Sequence, residues 1–104
     1  MKTPPYQGRG KVALLFVDGE RGAERQRAIA AFEGLRWPAD CETEVVDIGD
    51  RADVAAWFGI DVTPAVVIVR DGVLLAIEYE CNADACARAV RAAAPRARRV
   101  DVGV

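Results

Sequence analysis

Cysteine is the residue type in this chain with the clearest capacity for chemistry, because a thiolate can attack a disulfide or bind a metal ion. The three cysteines are Cys41, Cys81 and Cys86. Cys41 is expected in a loop as an incidental thiol, whereas Cys86 is expected to face the core as a small hydrophobe. A disulfide between Cys81 and Cys86 would require Cα atoms within about 7 Å of each other, and the sequence leaves that open.

The sequence predicts no metal site and no bound cofactor. Three scattered cysteines without any histidine do not match a zinc-ligand pattern. A chain without histidine or serine cannot form a hydrolase triad. The Gly8–Gly10 segment lacks the third glycine and the preceding strand of a dinucleotide-binding loop. The pairs Glu42/Glu44 and Glu78/Glu80 have the spacing of one strand face, and we interpret them as solvated side chains rather than catalytic carboxylates.

Length and charge indicate a single domain with few classes of partner. A chain of 104 residues that is 52% hydrophobic can bury one core. Its net charge of −2, with both signs interspersed, argues against a nucleic-acid surface. No apolar run approaches the roughly 20 residues that cross a bilayer, and no signal-peptide pattern is visible, so the sequence predicts a cytoplasmic protein without a membrane partner. Residues 1–10 are predicted as a flexible leader, residues 11–94 as the domain, and residues 95–104 as a flexible basic tail.

The periodicity of apolar residues predicts seven elements in the order β-α-β-α-β-β-α. Asp50 is the expected N-cap of the second helix, Gly59 its end, and Asn82 the expected N-cap of the third helix. Asp71-Gly72 predicts a tight antiparallel hairpin. The strands are predicted over residues 11–17, 43–48, 65–69 and 73–80, and the first helix over about residues 22–36.

Val62-Thr63-Pro64-Ala65 is unusual, because a proline here opens a strand instead of ending one. Proline fixes φ and lacks a backbone donor, so within sheets it occurs at the first residue of a strand, at an edge or in a cis turn. The apolar run continues directly through Val69, and all three positions stay open from these residues alone. A cis Thr63–Pro64 bond is compatible with them, and its support comes from the order of the surrounding elements.

This order of elements, with Thr63-Pro64 before the third strand, resembles the thioredoxin fold. The resemblance spans residues 11–94 and includes the Val12–Val17 run, which is similar to the first central strand of that family. It implies an α/β protein with three α/β/α layers, a central mixed sheet and a cis-proline loop at Thr63-Pro64.

The same resemblance places a degenerate sequence at the thioredoxin active site. Where thioredoxins carry Cys-Gly-Pro-Cys, this chain reads Arg21-Gly22-Ala23-Glu24. The aromatic residue before the motif becomes Glu20, and the family's buried aspartate becomes Leu15. Because thiol–disulfide exchange requires a thiolate, the resemblance implies a redox-inactive protein with no catalytic residue at this position.

A thioredoxin-like fold without these thiols implies a binding role. The family's substrate groove pairs an extended peptide with the backbone beside the cis-proline, and such strand addition needs no sulfur. The predicted groove residues are Val62, Thr63, Pro64 and Cys81. We therefore expect a protein- or peptide-binding or assembly module, similar to thioredoxin-like accessory proteins that chaperone a client, with an oligomeric state that the sequence does not specify.

Two alternatives stay open at this stage. Cys81 would lie near the groove in this frame, where it could be glutathionylated or form a mixed disulfide, so a monothiol oxidoreductase or redox sensor is the second hypothesis. The segments 15–19 and 46–48, with the Thr63-Pro64-Ala65 step, are also similar to the KaiB circadian clock family, which lacks the redox pair. That similarity fades after Pro64, where a regular hairpin is predicted, so KaiB-like regulation is the lesser alternative.

Overall fold

The most apolar segment of the sequence forms the centre of the sheet. The computed structural model describes residues 3–20, 22–79 and 82–94. The elements follow the predicted order β-α-β-α-β-β-α. They are β1 (Lys11–Val17), α1 (Gly22–Glu33), β2 (Cys41–Asp47), α2 (Ala52–Trp57), β3 (Ala65–Arg70), β4 (Val73–Glu78) and α3 (Ala83–Ala93).

The four strands form one mixed sheet in the order β2-β1-β3-β4. β1 pairs with β2 in parallel, and β3 pairs antiparallel with both β1 and β4. β1 and β3 are therefore central and are buried on both faces, as their continuous apolar sequences predict. β2 and β4 are the edges.

Helices cover both faces of this sheet, which confirms the three-layer α/β/α architecture. Alternate residues of β1 point to opposite faces. Leu15 packs with Phe32 of α1 and Ala89 of α3 in one apolar cluster, whereas Phe16 packs with Val54 of α2 in the other. α1 and α3 thus lie on one face and α2 lies on the other.

The β3–β4 turn confirms the predicted hairpin. Asp71 and Gly72 have φ angles of 51° and 85°. Two successive residues with positive φ are typical of the type I′ turn, which suits the right-handed twist of paired strands. The Gly10 backbone N–H donates to Asp71 Oδ1 (2.9 Å), and the Asp71 N–H donates to the Gly10 carbonyl (2.9 Å). The hairpin is thereby joined to the segment before β1.

The N-caps of the helices agree with the sequence at α3 but not at α2, whereas Gly59 directly follows the C-cap of α2 with a φ of 70°, as expected. The Asn82 side chain accepts a hydrogen bond from the Ala85 N–H (2.8 Å), as predicted. The N-cap of α2 is Arg51 rather than Asp50, and Arg51 makes no side-chain cap hydrogen bond. The cause is a turn in which the N–H groups of Asp50 and Arg51 both donate to the Asp47 carbonyl, so the helix begins one residue later.

Three predicted boundaries were wrong by two or three residues. β2 begins at Cys41 instead of residue 43, so Cys41 is a buried strand residue and not a loop thiol. α1 ends at Glu33 instead of residue 36. The side chain of Trp37 folds back, and its Nε1–H donates to the Phe32 carbonyl (3.0 Å), which ends the helix before the predicted proline stop. β4 ends at Glu78.

The segment before β1 packs onto the domain, in contrast to the flexible leader expected from the sequence. Tyr6 is 9% exposed and belongs to the apolar cluster on the α2 face. Its hydroxyl donates to Glu44 Oε2 (2.9 Å). Arg9 lies over the Tyr6 ring and forms an ion pair with Glu42 (2.6 Å). Residues 3–10 are therefore attached to edge strand β2; residues 95–104, the predicted basic tail, lie outside the described residues.

Candidate functional site

A groove forms where the end of β1 meets the beginning of β3. Because these strands are antiparallel, Phe16 near the end of β1 pairs with Ala65 at the start of β3. The chain leaves β1 toward α1 and enters β3 through the Val62–Pro64 loop. These two segments must therefore lie side by side at this end of the sheet. The Thr63–Pro64 peptide bond is cis.

Residues from three segments line the groove. Its lining combines small or apolar side chains with charged side chains of both signs. The lining residues are Val17, Asp18, Glu24, Arg25, Ala28, Thr63 and Pro64. A wider and more open depression adjoins the groove and shares Glu24, Ala28 and Pro64 with it. Arg27 lines only this second depression.

The spacing on α1 explains which of its residues reach the groove. Glu24 and Ala28 are four residues apart, and Arg25 and Ala28 are three apart, so all three lie on one side of the helix. From the sequence alone, the helical periodicity of the apolar residues places Arg25 on the opposite, solvent-facing side of this helix, and the structure corrects that expectation. The Arg25 side chain is partly buried beside Thr63 and Pro64.

The charged groups of the groove differ in whether their polar atoms have hydrogen-bond partners within the described residues. Asp18 Oδ1 accepts a hydrogen bond from the Glu20 N–H (3.0 Å). Arg25 Nε is buried and has no hydrogen-bond partner in the described part of the chain. Most buried polar atoms in proteins are paired, so this guanidinium N–H stands out.

The structure brings together part of the predicted site. Glu24, Thr63 and Pro64 all line the groove, whereas Gly22 and Ala23 lie in the exposed first turn of α1 and Val62 lies beside the groove, 54% exposed. Arg21 and Cys81 lie outside the described residues. The sequence analysis missed Val17, Asp18, Arg25 and Ala28 as groove residues. The available signal was their position in the sequence. Val17 and Asp18 lie at the end of the central strand, and Arg25 and Ala28 follow the predicted site within about one helical turn.

Solved structures of thioredoxins share this arrangement of elements. Thioredoxin of Malassezia sympodialis superposes with a TM-score of 0.72 at 16% identity, over 85% of this chain and 78% of that chain. A mutant thioredoxin of Halobacterium salinarum NRC-1 gives 0.66 at 19% identity, over 81% and 74%. Fasciola hepatica thioredoxin gives 0.58 at 16% identity, over 86% and 85%.

The fold is thioredoxin-like. At these identities the likeness establishes the fold alone. No protein-family model matches the sequence, and no curated protein sequence matches it either.

Within this thioredoxin-like fold, neither described cysteine is among the residues that line the groove. Cys41 pairs with Lys11 at the start of β1, whereas the groove begins at Val17 at its end. At ~3.3 Å per residue, the two ends of β1 are roughly 20 Å apart. Cys41 is 8% exposed, and Cys86, in the first turn of α3, is 5% exposed. Burial raises the pKa of the Cys41 thiol, which reduces its thiolate fraction.

The described residues of this thioredoxin-like fold form neither a metal-binding cluster nor a membrane-spanning helix. No group of three or more histidine, cysteine, aspartate or glutamate side chains is arranged there to hold a metal ion. Within the same residues, none of the helices has the length and apolar character required to span a membrane.

Proposed function

We propose that this protein is a redox-inactive binding or assembly module, which holds an extended segment of a client protein in the groove between α1 and the Val62–Pro64 loop. The observation that carries this proposal is the open backbone of the loop. No hydrogen bond within the described part of the chain uses the backbone N–H or C=O of Val62 or Thr63. An extended peptide could pair with these groups by strand addition.

The chemistry of the groove also supports binding rather than catalysis. Its lining contains no cysteine among the described residues, and the four positions that the resemblance assigns to the thioredoxin motif hold Arg21, Gly22, Ala23 and Glu24. None of these side chains can form a thiolate. Val17, Ala28 and Pro64 in the lining offer the small apolar contacts that an extended peptide would cover.

Affinity capture with matched variants tests the proposal. Thr63→Arg places a long charged side chain in the groove. Thr43→Arg makes the same change at an exposed position of edge strand β2, which is separated from β3 by β1. The wild type and Thr43→Arg should capture the same client, and Thr63→Arg should lose it. If Thr63→Arg retains the same partners while remaining folded, the groove is not the binding site.

A monothiol oxidoreductase or redox sensor centred on Cys81 is the second candidate. It is favoured by the neighbouring solved structures, many of which are thioredoxins. An insulin-reduction assay with wild type and Cys81→Ser separates the two candidates. Turnover by the wild type that the substitution abolishes would establish the enzyme. A binding module should give no turnover above the uncatalysed rate with either protein.

A further inference from the structure

The edge strand β4 carries most of the exposed apolar surface of the described residues. Six large hydrophobic side chains are exposed there, and four of them lie on β4 or directly after it: Val73, Leu74, Leu75 and Tyr79. Their exposed fractions are 63%, 44%, 44% and 44%. Apolar side chains that are concentrated on one part of a surface mark an interaction site, whereas scattered ones do not.

The backbone of β4 is open on the side away from β3. β4 pairs with β3 alone, because it is the last strand in the order β2-β1-β3-β4. No hydrogen bond within the described residues uses the N–H and C=O groups of residues 73–78 that point away from β3. Exposed edges in natural proteins usually carry charged residues or proline, and residues 73–77 contain neither. The partner that fits this open edge is therefore another β-strand.

The charge of the edge restricts that partner to an uncharged, apolar strand. The one charged side chain of β4 is Glu78, which pairs with Arg88 of α3 (3.0 Å). A charged partner strand would lose hydration along residues 73–77 without meeting an opposite charge. The other edge strand of the described sheet, β2, carries Glu42 and Glu44 and does not match. β4 itself is the edge strand that matches.

The register between β3 and β4 makes this edge complementary to itself. Val69 pairs with Leu74 and Val67 pairs with Ile77, and the register shifts by one residue between these pairs. Val67 and Val69 belong to the apolar cluster on the α2 face. Because directly opposite residues of an antiparallel pair share a face, Leu74 and Ile77 both lie on the α2 face.

We infer that β4 pairs antiparallel with β4 of a second copy of this chain, about a two-fold axis that is perpendicular to the sheet and passes between Leu75 and Ala76. This axis places Leu74 of each copy opposite Ile77 of the other on the α2 face. The pairing joins two four-stranded sheets into one continuous sheet. Because the same strand serves both copies, the contact is closed and forms a dimer rather than a filament.

The same axis keeps like charges apart. Glu78 lies opposite Val73 of the other copy, whereas two glutamates directly opposite each other would destabilise the pair. The contact consists of one six-residue strand from each copy. Its area is below the ~800 Å² per partner of stable complexes, so we expect a reversible dimer with a dissociation constant on the order of 10–100 μM.

Sedimentation equilibrium of the 104-residue chain under reducing conditions tests the inference. The mean mass should rise from monomer to dimer between about 5 μM and 1 mM. Leu75→Lys places a positive charge of each copy beside the axis and should weaken the dimer at least tenfold. Trp57→Lys is the matched control, because Trp57 is 43% exposed and lies at the end of α2. It should dimerise like the wild type.

A charge-swap experiment keeps the test independent of variant folding. Leu75→Glu should also be monomeric alone, because two carboxylates then adjoin at the axis. An equimolar mixture of Leu75→Lys and Leu75→Glu should restore the dimer, since opposite charges meet. Mixing would not restore a dimer between variants that fail to fold.

Hydrogen exchange of the amides of residues 73–78 identifies what covers the edge. Protection that rises with protein concentration together with the dimer supports self-pairing. Protection that does not change with concentration would mean that another segment of the same chain covers the edge, and the inference would be overturned. It would also be overturned by a wild type that stays monomeric throughout, by a dimer that persists in Leu75→Lys, or by an equal loss in Trp57→Lys.

Discussion

Tyr6, a buried side chain outside the predicted domain, contributes to the stability of the folded protein. Burial raises the pKa of Tyr6 to about 12, and its hydrogen bond to Glu44 acts in the same direction. The raised pKa means that the folded state favours the neutral phenol over the phenolate. Tyr6 therefore couples the attachment of residues 3–10 to pH.

The stability of the protein should depend on Tyr6 in strongly alkaline solution. The folded pKa lies above the ordinary value of 10, so the contribution of Tyr6 is fully present below pH 10 and is lost as the pH rises from 10 to about 12. Urea unfolding at a series of pH values should show a steeper loss of unfolding free energy in this window for wild type than for Tyr6→Phe.

Tyr79→Phe is the matched control for this experiment, because Tyr79 is 44% exposed. It should retain the wild-type pH dependence between pH 10 and 12. Parallel curves for wild type and Tyr6→Phe across this window would show that Tyr6 is not buried as described.

The strands and the hairpin turn could be predicted from the sequence because residues that are close together in the chain determine them. β1 and β3 are buried on both faces, so their apolar runs are continuous, and Asp71-Gly72 fits the positive φ angles of a two-residue turn. Arg25 and Tyr6 could not be placed in this way. The contact between Tyr6 and Glu44 joins residues 38 apart, and the burial of Arg25 depends on a loop that enters from another part of the chain.

The β3–β4 hairpin should be sensitive to a methyl group at Gly72. A Cβ at Gly72 would lie 3.1 Å from Pro4 Cβ and 3.3 Å from Pro5 O, and the φ angle is +85°. Gly8 has a similar φ of +82°, but no atom lies within 4 Å of a Cβ built there. Both Gly→Ala changes carry backbone strain of about 1–2 kcal/mol, whereas Gly72→Ala adds steric overlap of about 1–3 kcal/mol.

Urea unfolding of Gly72→Ala and Gly8→Ala measures this difference directly. The expected result is a lower unfolding free energy for Gly72→Ala by at least ~1 kcal/mol relative to Gly8→Ala. Equal losses in the two variants would indicate that the segment before β1 does not press against the hairpin.

The complete fold separates the groove from Cys41. The mixed sheet brings the end of β1, the start of α1 and the Val62–Pro64 loop together at one end, and it holds Cys41 at the other end of β1. The resemblance read from the sequence predicted the layers and the loop. It could not establish the chemistry of the groove, because one fold supports many functions.

The most direct test of this account is an NMR titration of the ¹⁵N-labelled protein with the client that the wild type captures, under reducing conditions. We expect amide shift changes at Val62 and Thr63 and along residues 22–28, and the same pattern in Cys81→Ser. Shift changes centred on an edge strand, or binding that disappears in Cys81→Ser or in the presence of reductant, would contradict a groove that binds its client without sulfur chemistry.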